Sequence, residues 1–184
     1  MGSTNWLALA SVVAAIAAFL IAAYQANLLR KSIQLTAILE LDKEWNGIEM
    51  SDSRRSFWTD EGRPGPKDPE SVLEFLEKVS SLEESRIIDE KLIWDTFGWY
   101  VMRYWHYSKS LVEDDLRIRW THRADATLYQ DLEKLAKKLI EREAKQRKLN
   151  EEEITKELDD NDLRRKFAEA ERDIPVDAGP KSDS

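Results

Sequence analysis

The chain reads as an all-α protein, with a single N-terminal transmembrane helix continuing into a cytoplasmic helical bundle. Three observations predict this class. None of the 28 basic and 36 acidic side chains falls before Arg30, so an uncharged run precedes a remainder that is about two-fifths charged. Glycine and proline are absent from Ser3 to Asn46, so no helix breaker interrupts that stretch. Beyond it, apolar residues recur three and four apart, and no segment alternates with β-branched enrichment as a half-buried strand would.

Residues 1–5 read as a short external N-terminus and 6–29 as the span. Trp6–Tyr24 is WLALASVVAAIAAFLIAAY, and a bilayer core takes roughly 20 such residues at about 1.5 Å each. Trp6 and Tyr24 stand where interfacial aromatics belong, with Phe19 inside the run. A cleaved signal peptide would carry positive charge ahead of the apolar segment, and Met1–Asn5 has none. Arg30 and Lys31 follow the span and no basic residue precedes it. The positive-inside rule therefore puts the N-terminus outside and the body in the cytoplasm, at the plasma (inner) membrane. Ala10, Ala14, Ala18 and Ala22 lie four apart, a small-residue face through which two copies could associate in lipid.

Residues 30–145 are expected to form the bundle, with 30–46 continuing the membrane helix. Ile33, Ala37, Leu41 and Trp45 recur every four residues with Ile38 beside them, a stripe that would face the following helices. Gly47 is the expected stop. A short helix is expected over Ile48–Asp60. A loop follows at Gly62–Pro66, which holds two glycines and two prolines. Asp68-Pro69-Glu70 opens the next helix with a cap, a first-turn proline and a favourable acid; Val72, Leu73, Phe75, Leu76, Val79 and Leu82 form its apolar face. Asp89 is the candidate cap of a helix apolar nearly all round, from Leu92 to Tyr107, which belongs at the bundle centre. A connecting helix is expected over Leu111–Trp120. A long helix after Asp125 carries Leu128, Leu132, Leu135 and Leu139.

Residues 146–173 read as a charged terminal helix. Asn150 and Glu153 make a capping box, the helix runs over Glu151–Arg172, and Pro175 ends it. The composition of the 174–184 tail is that of a disordered segment. Glu133–Lys148 holds seven basic and three acidic residues, and Glu151–Asp162 seven acidic and one basic. Such blocks are expected as solvated faces with i,i+4 pairs. Pairing as an antiparallel hairpin, a partner-binding arm and a basic helix on anionic lipid are the alternatives.

Chemistry is sparse. There is no cysteine, hence no disulfide, thiolate metal site or thiol nucleophile. The two histidines, His106 and His122, share no ligand spacing. Asp159-Asp160-Asn161-Asp162 lacks the glycine and alternating ligands of a calcium loop. No phosphate-binding loop or nucleophile elbow occurs. The basic residues are interleaved with acids in a net charge of −8, which fits no nucleic-acid partner. No catalytic residue, metal or cofactor is expected. Arg103, in the aromatic helix, would need a carboxylate if buried, and Glu40, Asp42 and Glu44 are candidates. Trp99, Tyr100 and Trp105 are expected in the core, with a ligand pocket as the alternative.

Residues 38–46 (Ile-Leu-Glu-Leu-Asp-Lys-Glu-Trp-Asn) stand with Met50, Arg54, Arg55 and Trp58. Val72-Leu73-Glu74-Phe75-Leu76-Glu77, Asp95-Thr96-Phe97-Gly98-Trp99-Tyr100 and Leu128-Tyr129-Gln130-Asp131-Leu132-Glu133 follow them. This pattern resembles an uncharacterised family of small, mostly prokaryotic, membrane-anchored helical proteins, a domain of unknown function. The resemblance covers about Gln34–Leu139. It implies an N-terminal span and a helical body, and it brings no catalytic residues. The expected role is a non-catalytic anchor or scaffold that holds a protein partner at the lipid bilayer. Arg54, Arg55, Trp58 and Arg63 are the expected exposed contact, since Arg and Trp favour interface hot spots. A small-molecule sensor with an aromatic-lined pocket and an enzyme with an unrecognised carboxylate site are the alternatives.

Overall fold

The computed structural model describes residues 3–58, 69–112 and 129–174. These form seven helices: α1 (Ser3–Trp45), α2 (Ile48–Phe57), α3 (Pro69–Glu84), α4 (Glu90–Leu111), α5 (Gln130–Arg147), α6 (Glu151–Leu158) and α7 (Asn161–Arg172). No β-strand occurs among the described residues, and the fold is all-α as expected.

α1 is one unbroken helix of 43 residues, as the absence of Gly and Pro dictates. From Ala10 to Ile33 it is solvent-exposed, with Phe19 72% and Tyr24 65% exposed. Its last part enters the bundle through Gln34, Ile38, Leu41 and Trp45, all buried. The inward stripe is thus 34-38-41-45. Ile33, expected on it, is half exposed, because a 3.6-residue helix rotates a strict four-residue repeat off the contact line.

Gly47 does not end α1 in a left-handed turn. It sits at the N-cap position of α2 with φ −68° and ψ 156°. Space explains it instead, since a Cβ there would lie 3.1 Å from the Glu44 carbonyl oxygen. α2 ends at Phe57, three residues short of its expected end. Gly62–Pro66, Arg63 and Asp68 lie outside the described residues. So do His122, Asp125, Leu128, the tail from Pro175, and the connecting helix beyond Val112.

Trp45 is the hub of the core. Its ring meets Phe75 at 5.0 Å, Phe97 at 6.2 Å, Tyr100 at 4.9 Å and Tyr104 at 5.9 Å. The last turn of α1, α3 and α4 therefore share one aromatic cluster. α5 lies across α3 and α4, burying Leu132, Leu135 and Leu139.

The helix expected over Glu151–Arg172 is two helices. Asp160 breaks it: its backbone is extended, and its carboxylate accepts from the amides of Asp162 and Leu163 as the N-cap of α7. The capping box at Asn150 and Glu153 is formed. α5 and α6 do pair, around Ala144, Ile154 and Leu158 with Ile140 and Leu149 beside them. A two-fork contact from Arg147 to Glu157 at 2.6 and 2.7 Å closes the hairpin. The fold hence brings the basic and acidic blocks together.

Candidate functional site

Arg54 and Trp58 were expected on the surface, and both are buried, at 4% and 5% exposure. α2 has a single inner face, and Arg54 and Phe57 share it at i,i+3, with Trp58 closing the turn after it. Arg54 Nε and Nη2 donate to the two carboxylate oxygens of Glu171, at 2.6 and 2.9 Å. A third bond runs from Nη1 to the Trp45 carbonyl, 3.3 Å. The guanidinium lies 4.2 Å from the Trp45 ring centroid. Tyr104 donates its hydroxyl to Glu171 at 2.7 Å and accepts from the Trp58 indole N–H at 3.4 Å. Phe167, one turn before Glu171, fills the space between Trp58 and Tyr104 with centroids 5.5 Å from each.

Electrostatics follow from this closed arrangement. Burial acts to lower the pKa of Arg54, and the hydrogen bond and charge of Glu171 outweigh it, so the guanidinium holds its proton more tightly than an ordinary arginine. Burial pushes the Tyr104 hydroxyl well up, and the negative charge of Glu171 pushes it further. The cluster is a structural lock in which all three Arg54 nitrogens and both Glu171 oxygens are bonded within the fold. Arg55 donates to the Ile174 carbonyl and pairs with Asp52 at 3.2 Å, so it too is engaged in tying α2 to the C-terminal segment.

Arg103 is buried at 5% exposure, and Glu40, Asp42 and Glu44 do not neutralise it. Glu44 pairs with Lys78 at 2.6 Å, and Asp42 accepts from Asn46. Arg103 instead stacks 3.5 Å from the centroid of Trp99, and its Nη1 donates to the Tyr107 hydroxyl at 3.3 Å. Burial lowers its pKa, against the pull of Tyr107. The buried arginine–carboxylate pair thus exists on a different arginine. Glu171 is 117 residues away from Arg54, and no local spacing marks it.

Of the three aromatic residues expected in the core, Trp105 is buried and Tyr100 is half-buried against it, whereas Trp99 is 54% exposed over Arg103. His106 is bonded through Nε2 to Asp159, 2.8 Å, at the α6–α7 junction. Among the described residues no group of three or more His, Asp or Glu side chains is placed to hold a metal ion.

The other end of the bundle is built around α1 where the apolar run stops. Arg30 pairs with Asp89 at 3.3 Å. Asp89 occupies the N-cap position of α4 without capping it through its side chain; the carboxylate serves Arg30 instead. The next residue, Glu90, receives Arg142 of α5 at 2.9 Å. Trp6, Phe19 and Tyr24 lie on the exposed part of α1, as do Ala10, Ala14, Ala18 and Ala22. α1 is long and apolar enough to cross a membrane, with an 18-residue window of mean hydropathy 2.0 and none of that window buried.

Residues 5–139 match the family described as a domain of unknown function, DUF4760. The chain belongs to that family. No curated protein and no solved structure matches the chain. The DUF4760 match takes in the apolar run, α2–α4 and the first half of α5. It stops before α6 and α7, so Phe167 and Glu171, which complete the Arg54 cluster, are contributed from beyond the matched DUF4760 segment.

Proposed function

We propose that this DUF4760 protein is a non-catalytic, single-pass anchor. On this reading α1 crosses the plasma (inner) membrane with its N-terminus outside, and holds a helical scaffold at the cytoplasmic face for a protein partner. The observation that carries the reading is the division of α1. Its exposed apolar part is long enough for a bilayer, and its last turns are built into the aromatic core through Trp45. A helix shared between span and core transmits position rigidly, as a flexible linker would not. Arg30 and Lys31, at the boundary, favour the cytoplasmic side for the body. The Arg54, Arg55 and Trp58 contact is withdrawn from this reading, because those side chains are used inside the fold.

The sensor reading is disfavoured by the filled aromatic core. Of the aromatic side chains that would wall a pocket, Tyr100 meets the rings of Trp45 and Phe167, Trp105 is buried, and Trp99 stacks on Arg103. An open cleft among the described residues is lined instead by Glu44, Gly47, Ile48, Glu49 and Met50.

The chain has no cysteine, which makes a direct test simple. Ser3→Cys and Ser184→Cys variants are treated with a membrane-impermeant thiol reagent in intact cells. The reading expects labelling of the first from outside and of the second only after lysis. Both labelled without lysis, or release of the chain by alkaline carbonate, would refute it.

A further inference from the structure

We propose that the membrane-proximal end of the bundle is a cationic collar that binds the anionic phosphate headgroups of the bilayer around α1. The proposal rests on the reading of α1 as a membrane span. Two ion pairs in series place the collar. Arg30, the first charge after the apolar run, holds Asp89, and the adjacent Glu90 holds Arg142. These contacts draw the α3–α4 turn and the middle of α5 up to the level where the apolar part of α1 ends. The chain order alone puts Arg142 more than a hundred residues from Arg30.

The acids at this level are mostly spent on internal partners. Glu83 meets Lys138 at 2.9 Å with its side chain 12% exposed, and Glu84 lies 3.7 Å from the same amine. Asp89 and Glu90 are taken by Arg30 and Arg142. The outward cations are freer. Lys31 and Arg86 are exposed, and no ion pair reaches them among the described residues. Lys145 is 81% exposed and only 3.9 Å contacts Glu141. Lys138, Arg142 and Lys145 line an open cleft of about 240 Å³ together with Glu90 and Glu141.

An apolar tip accompanies the charge. Arg86 adopts a left-handed φ of 59°, which turns the chain sharply after α3 and leaves Ile87 42% exposed while Ile88 is buried. A basic residue beside an exposed isoleucine, next to a span, fits the headgroup–acyl boundary.

The charge of the whole chain, −8, argues against general adhesion to acidic lipid. The acidic α6 packs on Ala144 and bonds Arg147 through Glu157, so its acids partly offset Lys145 and the attraction rests first on Lys31 and Arg86. The acidic α6 ends at Asp159, which is bonded to His106, about 24 Å along α4 from Glu90 at 1.5 Å per residue. Asp159 at that distance lies beyond the Debye length of roughly 10 Å at 0.1 M salt, so it leaves the attraction of Lys31 and Arg86 for a nearby surface intact.

The experiment uses the full-length chain in lipid nanodiscs of phosphatidylcholine, with or without phosphatidylglycerol. Ile87→Cys supplies a single site for an environment-sensitive dye, and Ser56→Cys on α2 is the distal control. The expected result is a blue shift of the Ile87→Cys dye in phosphatidylglycerol discs. High salt and the pair Arg86→Glu and Lys145→Glu abolish the shift, helicity is unchanged, and the control does not move. A dye emission equal in both lipids, or a shift that survives the charge reversal, would overturn the collar and leave the span standing. A chain that does not co-elute with the discs would overturn the span, and the collar with it.

Discussion

At the residue scale the dominant feature is the ion pair between Arg54 and Glu171. Both side chains are almost fully removed from solvent, at 4% and 6% exposure. Two charges so placed repay their desolvation only if geometry is good and the remaining lone pairs are met. Here the fork is bidentate, Tyr104 takes a further bond to Glu171 and the Trp45 carbonyl takes another from Arg54. Removing one partner leaves the other charged and buried. Arg54→Ala and Glu171→Ala are each expected to destabilise the chain by about 3–5 kcal/mol. The apolar double replacement Arg54→Met with Glu171→Leu should recover much of that loss. Denaturant unfolding in micelles, followed by far-ultraviolet circular dichroism, measures all three; additive losses in the double variant would show that the two groups are uncoupled.

At the element scale the connections decide as much as the helices. Two turns use the same device. After α3, the Ile87 amide reaches the Leu82 carbonyl at 3.0 Å and the Arg86 amide the Glu83 carbonyl at 2.8 Å. After α5, the Leu149 amide reaches the Ala144 carbonyl at 2.9 Å with Lys148 at φ 57°. This is the six-to-one closure of a helix end, and it wants a residue that tolerates left-handed backbone. Lysine lacks that freedom, whereas glycine has it. Lys148→Gly is therefore expected to stabilise the hairpin by about 0.5–1 kcal/mol, while Lys148→Ala gives no gain. Thermal melts of the two variants, scanned side by side, separate the backbone effect from loss of the charge. Equal shifts would mean that charge, not backbone, controls the site.

At the scale of the whole molecule, the aromatic core makes stability depend on alkaline pH. Burial raises the pKa of Tyr104, Tyr107 and Tyr129 above the ordinary value of 10.0. The sign follows from linkage. A group whose pKa is higher folded than unfolded binds its proton more tightly in the native state. The stability this gives is fully present below the unfolded pKa and declines as pH rises through the folded one. The melting temperature is therefore expected to fall once pH passes about 10. Tyrosinate absorbance should appear together with unfolding instead of before it. A melting temperature that stays level past that pH, with tyrosinate forming in the native chain, would contradict the account. Tyr104→Phe should soften the decline while costing the bond to Glu171.

The sequence by itself determined the all-helical class, the unbroken α1, the caps at Asn150 and the placement of the apolar faces on α3, α4 and α5. Each of these is local: helix breakers, caps and periodicity act within a few residues. Even so, local patterns set Ile33 one residue off the buried stripe, and they ran α6 and α7 together across Asp160. Only the tertiary structure decided which arginine would be neutralised. Arg54 looked like a surface contact and Arg103 like half of a salt bridge. The packing of α7 onto α2 reversed those roles by bringing Glu171 to Arg54 from the far end of the chain. The same holds for the charges near α1. A net charge of −8 says nothing about position. Two ion pairs, Arg30 with Asp89 and Arg142 with Glu90, set basic residues beside the end of the apolar run. Coulomb forces depend on distance in space, and sequence spacing fixes that distance only within a helix.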